Sequence, residues 1–386
     1  MLKGVSGHCR DWTTGQALPF WASAGFDRVN GRFEERLSLR GGRITDVPLR
    51  LMVQARQVYV YALAARRGWH QGALELAELA YGSMIRDFHG RDSRGGWVHS
   101  ILRDGAVANP RRCLYAHAFV LLAIASYVQA TGSREALALA DETLDFLDDN
   151  LRAVGGGGYE EGWPSGGTLR RQNPHMHLFE ALLALWSSSA EPRYLTRAGE
   201  LFDLFATRFF LAKWGALGEY FNADLQPAAG SAGKIVEPGH HYEWVWLLRW
   251  FERESGRSVQ PYVDALYGHA DRHGFNSQGL IVDEVLLDGS HHNTSHRVWP
   301  VAEAIKANLV EARLGRAGSE KKATALVGVL RERFLTSNPA GGWIDRLDGN
   351  GVCMSQFMPA STLYHLVCAM DELGQFVAHS PPSRRL

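Results

Sequence analysis

What the chain lacks already narrows its chemistry. It carries 4 cysteines (Cys9, Cys113, Cys353 and Cys368) and no Cys-x-x-Cys pair. Neither a disulfide framework nor a thiolate metal cluster is expected, and free thiols of a cytoplasmic protein are the simplest expectation. It has no net charge, with 41 basic and 41 acidic residues and no run of Lys or Arg, so neither a nucleic acid nor an acidic membrane surface is an expected partner. Met1 to Trp12 hold no apolar signal region, and no apolar run approaches the roughly eighteen residues of a membrane span. The Gly-x-Ser-x-Gly elbow, the phosphate-binding loop, Gly-x-Gly-x-x-Gly and His-Glu-x-x-His are all missing. That absence argues against serine hydrolases, P-loop and dinucleotide enzymes and the common zinc proteases.

Proline is scarce too, at 14 in 386 residues, yet six of the prolines are almost evenly spaced: Pro48, Pro110, Pro174, Pro238, Pro300 and Pro359. A Gly-aromatic segment precedes each and a long apolar stretch follows. Proline suits the first position of a helix, where its missing N–H would be unpaired anyway. Each is therefore expected to begin a helix in a unit of about sixty residues, a length that suits a helical hairpin plus a long loop. Six such units use nearly the whole chain, so one domain spanning 1–386 is expected despite its length.

Stretches such as Leu114-Tyr-Ala-His-Ala-Phe-Val-Leu-Leu-Ala-Ile-Ala are apolar around most of their circumference, as in a helix buried on several sides. The following helices, expected near 75–86, 135–151, 196–208, 262–272 and 320–333, carry charge on one face. One buried and one half-exposed helix per unit predicts an all-α (α/α)6 barrel, six inner helices ringed by six outer ones. The segment from Asp11 to Phe20 is expected to partner the last inner helix. Glycine-bounded alternation at Gly96, Gly279 and Gly342 predicts short β-hairpins at the end where the inner helices begin. Converging helix N-termini there would favour anionic oxygens.

The chemical residues cluster just after the prolines. Arg171-Gln-Asn-Pro-His-Met-His-Leu-Phe-Glu180 places His177 and Glu180 three apart on one helix face, and Gly239-His-His-Tyr-Glu-Trp244 repeats this with His240 and Glu243. His365 follows Pro359, Arg56 follows Pro48, Tyr115 and His117 follow Pro110, and Glu303 follows Pro300. Singly, each has a structural explanation. Together, at equivalent places in a ring, they point to one pocket. Two histidines and two carboxylates could hold a metal, but His-x-His on a helix does not chelate, so no metal and no other cofactor is expected. Glu243 and Glu303 could form a glycosidase pair, which would not need three histidines; proton transfer beside a carbonyl would.

Asn173-Pro-His-Met-His-Leu-Phe-Glu-Ala, Glu237-Pro-Gly-His-His-Tyr-Glu-Trp, Trp299-Pro-Val-Ala-Glu-Ala-Ile-Lys-Ala and the closing Tyr364-His365 resemble the N-acylglucosamine 2-epimerase family. That group includes cellobiose 2-epimerases, mannose isomerases and sulfoquinovose isomerases. The resemblance implies the same barrel, a sugar substrate and catalysis without redox cofactor or metal. It implies that His240 and His365 are the acid/base pair, with His177 assisting ring opening and Arg56 against the reacting oxygens. Tyr115, Asn173, Glu180, Glu243, Trp299 and Glu303 would be pocket residues that orient sugar hydroxyls or the histidines. Met358-Pro-Ala-Ser-Thr-Leu-Tyr-His365 is similar to the mannose-isomerase branch. The expectation is an aldose–ketose isomerase, with a 2-epimerase as the near alternative and a hydrolase or a non-catalytic sugar binder behind them. The protein would act as a monomer or homodimer.

Overall fold

The computed structural model describes residues 2–155, 157–167, 169–336 and 339–379; the rest of the expected 1–386 span, including 380–386, lies outside them. The described chain is mostly helical. In order, the helices are α1 (Leu2–Trp12), α2 (Leu18–Ser23), α3 (Leu51–Arg67), α4 (Ala73–Phe88), α5 (Leu114–Thr131), α6 (Arg134–Leu151) and α7 (Gln172–Ser189). After them come α8 (Pro192–Leu204), α9 (Pro238–Ser255), α10 (Gln260–His273), α11 (Val298–Arg313), α12 (Ser319–Val329) and α13 (Thr362–His379). The odd-numbered helices from α3 pack on one another in sequence and α13 packs back on α3, a closed circuit. Each packs mainly on one outer helix: α4 on α3, α6 on α5, α8 on α7, α10 on α9, α12 on α11 and α1 on α13. The outer partner of the last inner helix is thus α1, Leu2–Trp12, which overlaps the expected Asp11 to Phe20 stretch only at Asp11 and Trp12.

Composition explains which helix sits where. Along α5, residues from Leu114 to Val128 are buried on almost every side, and buried alanines such as Ala55, Ala62, Ala118, Ala125, Ala181 and Ala304 let neighbouring inner helices approach closely. In α6 the buried positions Ala136, Ala140, Thr143, Leu144, Leu147 and Leu151 form a single stripe, as a surface helix requires. By length and composition α5 could cross a membrane, which corrects the expectation that no run approaches that length. Here the apolar surface is largely covered by protein. The helix ends are also locally encoded: α3, α5 and α9 stop on Gly68, Gly132 and Gly256, all left-handed at φ 64°, 74° and 70°.

The prolines mark the helix starts less sharply than expected. Pro238 does open α9, whereas Pro174 and Pro300 are third in α7 and α11, and Pro48, Pro110 and Pro359 lie before the first turn. The reason is a short strand immediately ahead of each inner helix, or nearly so. Leu49–Arg50 pairs with Ser100–Ile101, Arg112–Cys113 with Gly162–Trp163, and Arg170–Arg171 with Tyr220–Phe221. Ile235–Val236 pairs with Glu284–Leu286, His296–Arg297 with Arg346–Leu347, and Phe357–Pro359 with Arg36–Ser38. Every pair is antiparallel and joins one unit to the next, the last returning to the first. The expected hairpins after Gly96 and Gly279 are present. The one after Gly342 instead gives its strand to the preceding unit, apart from a single bridge from Leu347 to Cys353.

Candidate active site

The first turns of the inner helices line a cavity of about 240 Å³, bounded by Arg56, Tyr115, Asn173, His177, Glu237, His240, Glu243, Arg297, Trp299, Asp345, Ser361, Thr362 and His365. Eight of the ten expected site residues therefore share one chamber. The other two, Glu180 and Glu303, do not line it; they stand behind His177 and His365.

Trp299 packs against both principal histidines, its ring centroid 5.0 Å from that of His240 and 5.6 Å from that of His365. A Cβ on Gly239 would come within 2.6 Å of the Trp299 ring, so only glycine lets the indole lie this close to α9. Each histidine is fixed through Nδ1, which leaves Nε2 for a molecule in the cavity. His365 Nδ1 lies 2.7 Å from Glu303 Oε1. His240 Nδ1 lies 3.1 and 3.0 Å from the two oxygens of Glu219. His177 Nδ1 lies 3.0 Å from Glu180 Oε2, and that carboxylate also accepts from the Tyr364 hydroxyl.

The carboxylates do not act alike. Burial opposes a charge on His240, but Glu219 and then Glu237 outweigh it and lift its pKa to about 9. Burial wins at the other two: His177 falls to about 4 despite Glu180, with Arg56 adding to the effect. His365 is pushed well below its ordinary value by burial, Arg56 and Lys306. At neutral pH the pocket thus holds one imidazolium and two neutral imidazoles.

Arg56 donates from Nη2 to the Tyr115 hydroxyl at 2.8 Å and from Nη1 to the Ser361 carbonyl at 3.0 Å. Its guanidinium lies over Phe119, 4.1 Å from the ring centroid, in a geometry worth roughly 0.5–2 kcal/mol. Asn173 Oδ1 and both Glu243 oxygens are buried without a hydrogen-bond partner, so the chamber holds polar groups ready for a polyhydroxylated molecule. Burial, and next the neighbouring Glu303, push Glu243 well above the usual carboxylate range.

Several residues that hold the chamber's histidines and carboxylates in place were not singled out from sequence. Glu219 comes from the loop ahead of Tyr220 and is itself held by Gln172 Nε2 at 3.0 Å; Gln172 Oε1 in turn accepts from Trp244 Nε1 at 2.8 Å. The expected His240–Glu243 pairing does not form, because His240 turns to Glu219. Lys306, fully buried, forms an ion pair with Glu303 Oε2 at 2.7 Å; breaking such a pair typically costs about 3–5 kcal/mol. His117 points away from the chamber, with Nδ1 2.8 Å from the Cys113 carbonyl and Nε2 accepting the Trp97 N–H. Three donor groups, His177 with Glu180 and Glu243, His240 with Glu219 and Glu237, and His365 with Glu243 and Glu303, each gather ligand atoms within 4.8 Å. In each of them the histidine Nδ1 already serves a carboxylate.

The N-acylglucosamine 2-epimerase family pattern matches residues 31–369. Over 378 residues the chain is 33% identical to the mannose-6-phosphate isomerase of Rhizobium meliloti (strain 1021), covering 95% of this chain and 96% of that one. It is 28% identical over 294 residues to the D-mannose isomerase of Pseudomonas cannabina pv. alisalensis, covering 70% and 69% of the two. Its fold superposes on the cellobiose 2-epimerase from Spirochaeta thermophila DSM 6192 with a TM-score of 0.85 at 25% identity, covering 98% of this chain and 97% of that one. Such relatives define an enzyme that acts on sugars by isomerisation or epimerisation. The chain belongs to the N-acylglucosamine 2-epimerase family.

Proposed function

We propose that the chain is a single (α/α)6-barrel catalytic domain that interconverts a mannose-type aldose and its ketose. The observation that carries this is the pair of histidines packed against Trp299, each with Nδ1 on a buried carboxylate and Nε2 free at one chamber. His177, kept neutral by burial, relays the O1 proton to O5 as the sugar ring opens. Neutral His365 takes the C2 proton, and Glu303 at its Nδ1 stabilises the imidazolium that forms. The resulting cis-enediolate bears its charge on O1 and O2, where Arg56 and the His240 imidazolium lie within the same chamber. Preorganised donors of this kind are typically worth about 3–4 kcal/mol each. His365 returns its proton to C1 while the hydroxyl proton passes from O2 to O1, which completes the ketose. Tyr115 and Asn173 orient hydroxyls, and neither a metal nor a redox cofactor enters any step.

A 2-epimerase is the second possibility, and one observation favours it. His365 and His240 line the same chamber in opposite protonation states, as one proton donor and one proton acceptor at C2 require. Incubation with mannose in deuterated water decides between them. Isomerisation yields fructose with label only at C1; epimerisation yields glucose labelled at C2. Absence of both products, with no C2 exchange, would refute the assignment.

A further inference from the structure

Behind the chamber, one lysine serves a group of carboxyls that the proposed chemistry uses only in part. Lys306 is completely buried on α11, one turn after Glu303. Its Nζ lies 3.9 Å from the centroid of the Trp246 ring and 2.7 Å from Glu303 Oε2, in an ion pair too bent to count as a hydrogen bond. The groups facing it from the surrounding helices are Glu243 on α9, Glu180 on α7 and the Cys368 thiol on α13. Lys306 is not among the residues lining the chamber.

Two of these carboxyls are neighbours with contrasting surroundings. Ligand oxygens of Glu243 and Glu303 lie within 4.8 Å of each other and of a His365 nitrogen. Glu303 has the His365 Nδ1–H on one oxygen and the ammonium on the other. Glu243 has no hydrogen-bond donor on either oxygen, only the His177 Nε2 at 3.9 Å. Two buried carboxyls this close cannot both ionise, and the one with the cation keeps the charge.

We propose that Lys306 is a positioning residue that fixes the negative charge on Glu303 and so leaves the proton on Glu243. Two consequences follow at the chamber. Anionic Glu303 accepts the His365 Nδ1–H, which fixes the tautomer and leaves Nε2 bare for the C2 proton. Glu243 presents an acidic O–H to the sugar: its proton passes to O1 as the C2–H bond breaks, and the O2 hydroxyl proton replaces it when C1 is protonated. Protons and charge then balance over one turnover. Burial lifts both carboxyls, Glu243 the further because it lacks a donor. The groups facing His365 are Arg56 on α3, His177 and Glu180 on α7, Glu243 on α9 and Glu303 and Lys306 on α11. Of the two cations among them, Lys306 is the one tied to Glu303.

What the protons do to a sugar rests on the proposed isomerase function, so the first measurement uses no substrate. Infrared difference spectra of the free protein should show a carboxylic-acid C=O band that disappears in Glu243→Gln and persists in Glu303→Gln. Lys306→Met should gain a second such band, removed by adding Glu303→Gln. A wild-type spectrum without a band sensitive to Glu243→Gln, or a Lys306→Met spectrum identical to wild type, overturns the proposal. In turnover, Lys306→Met should lower kcat roughly 10²-fold with KM changed less than about threefold. Once Glu303 takes up a proton in this variant, the anion touching His365 Nδ1 and the more distant cation are lost together, and because the carboxylate is the nearer, the acid limb of kcat/KM should move to lower pH. An equal loss at every pH means a merely structural lysine and sinks the idea. Should Lys306→Met not fold, Lys306→Gln, which keeps a donor but no charge, is measured in its place with the same outcomes.

Discussion

Two sets of buried histidines sit side by side at the starts of the inner helices, and they differ in what Nδ1 touches. His117, His175 and His241 each occupy the fourth residue of their helix, with Nδ1 2.8, 3.1 and 3.2 Å from the carbonyl four residues back. Their Nε2 atoms accept the backbone N–H of Trp97, Tyr159 and Leu217. That arrangement requires the neutral Nδ1–H tautomer, and burial drives His117 to about 4 and His175 to about 3. They lock a loop onto each helix start and have no nitrogen left for chemistry. His177, His240 and His365 spend Nδ1 on a carboxylate and keep Nε2 free. Only one of these three is charged, because Glu219 and Glu237 outweigh burial at His240, whereas burial together with Arg56 prevails at His177 and His365. Burial is common to all six; the partner at Nδ1 and the nearest cation decide the role.

The contrast can be broken from either side. Replacing His365 or His240 by Asn should lower kcat by roughly 10²–10⁴-fold with the fold retained, measured by turnover beside circular dichroism. Full turnover in either variant would remove that histidine from the proton path. Glu219→Gln should come next, about tenfold at pH 8, because burial would then pull the His240 pKa down. The alkaline limb, expected near the wild-type value of about 9, should shift to lower pH; an unmoved limb would mean the charge has another source. Stability follows the same sign. A pKa raised on folding gives stabilisation that is fully present below the unfolded value near 6.5 and is lost as pH rises through about 9. The smallest effect on activity belongs to the structural set. His117→Ala should cost about 1–3 kcal/mol of stability, since the Trp97 N–H loses its acceptor, while kcat and KM stay near wild type. A loss of turnover without a loss of stability would move His117 into the catalytic set.

Legibility in the sequence followed the range of the interaction. The alternation of buried and half-exposed helices could be read because it is written in helical periodicity within each segment, and His177–Glu180 because three residues on one helix share a face. The helix starts were blurred, since proline is tolerated anywhere in a first turn whose N–H groups are unpaired. Three of the prolines precede or sit in strands set by the next unit. Glu219 stayed invisible for a different reason: it lies 21 residues before His240 in an irregular loop, where no period links the two. Glu243 misled in the opposite direction, for spacing alone gave it to His240 while the loop supplied a better partner. The Glu303–His365 bond, across 62 residues, and the neutral state of Glu243 depend on packing that no single segment encodes.

The return of the last strand to the first has a consequence for the integrity of the chamber. Phe357–Pro359 lies on Arg36–Ser38, Arg56 donates to Ser361, and Gln57 Nε2 donates to the Ala360 carbonyl at 2.7 Å. The chamber therefore straddles the seam where the first and last units of the ring meet. A variant cut after residue 336 would keep five of the six inner helices and lose both His365 and the strand that closes the ring. Arg56 on the first inner helix and His365 on the last face one another across that join, so the chamber is whole only while the circle is closed.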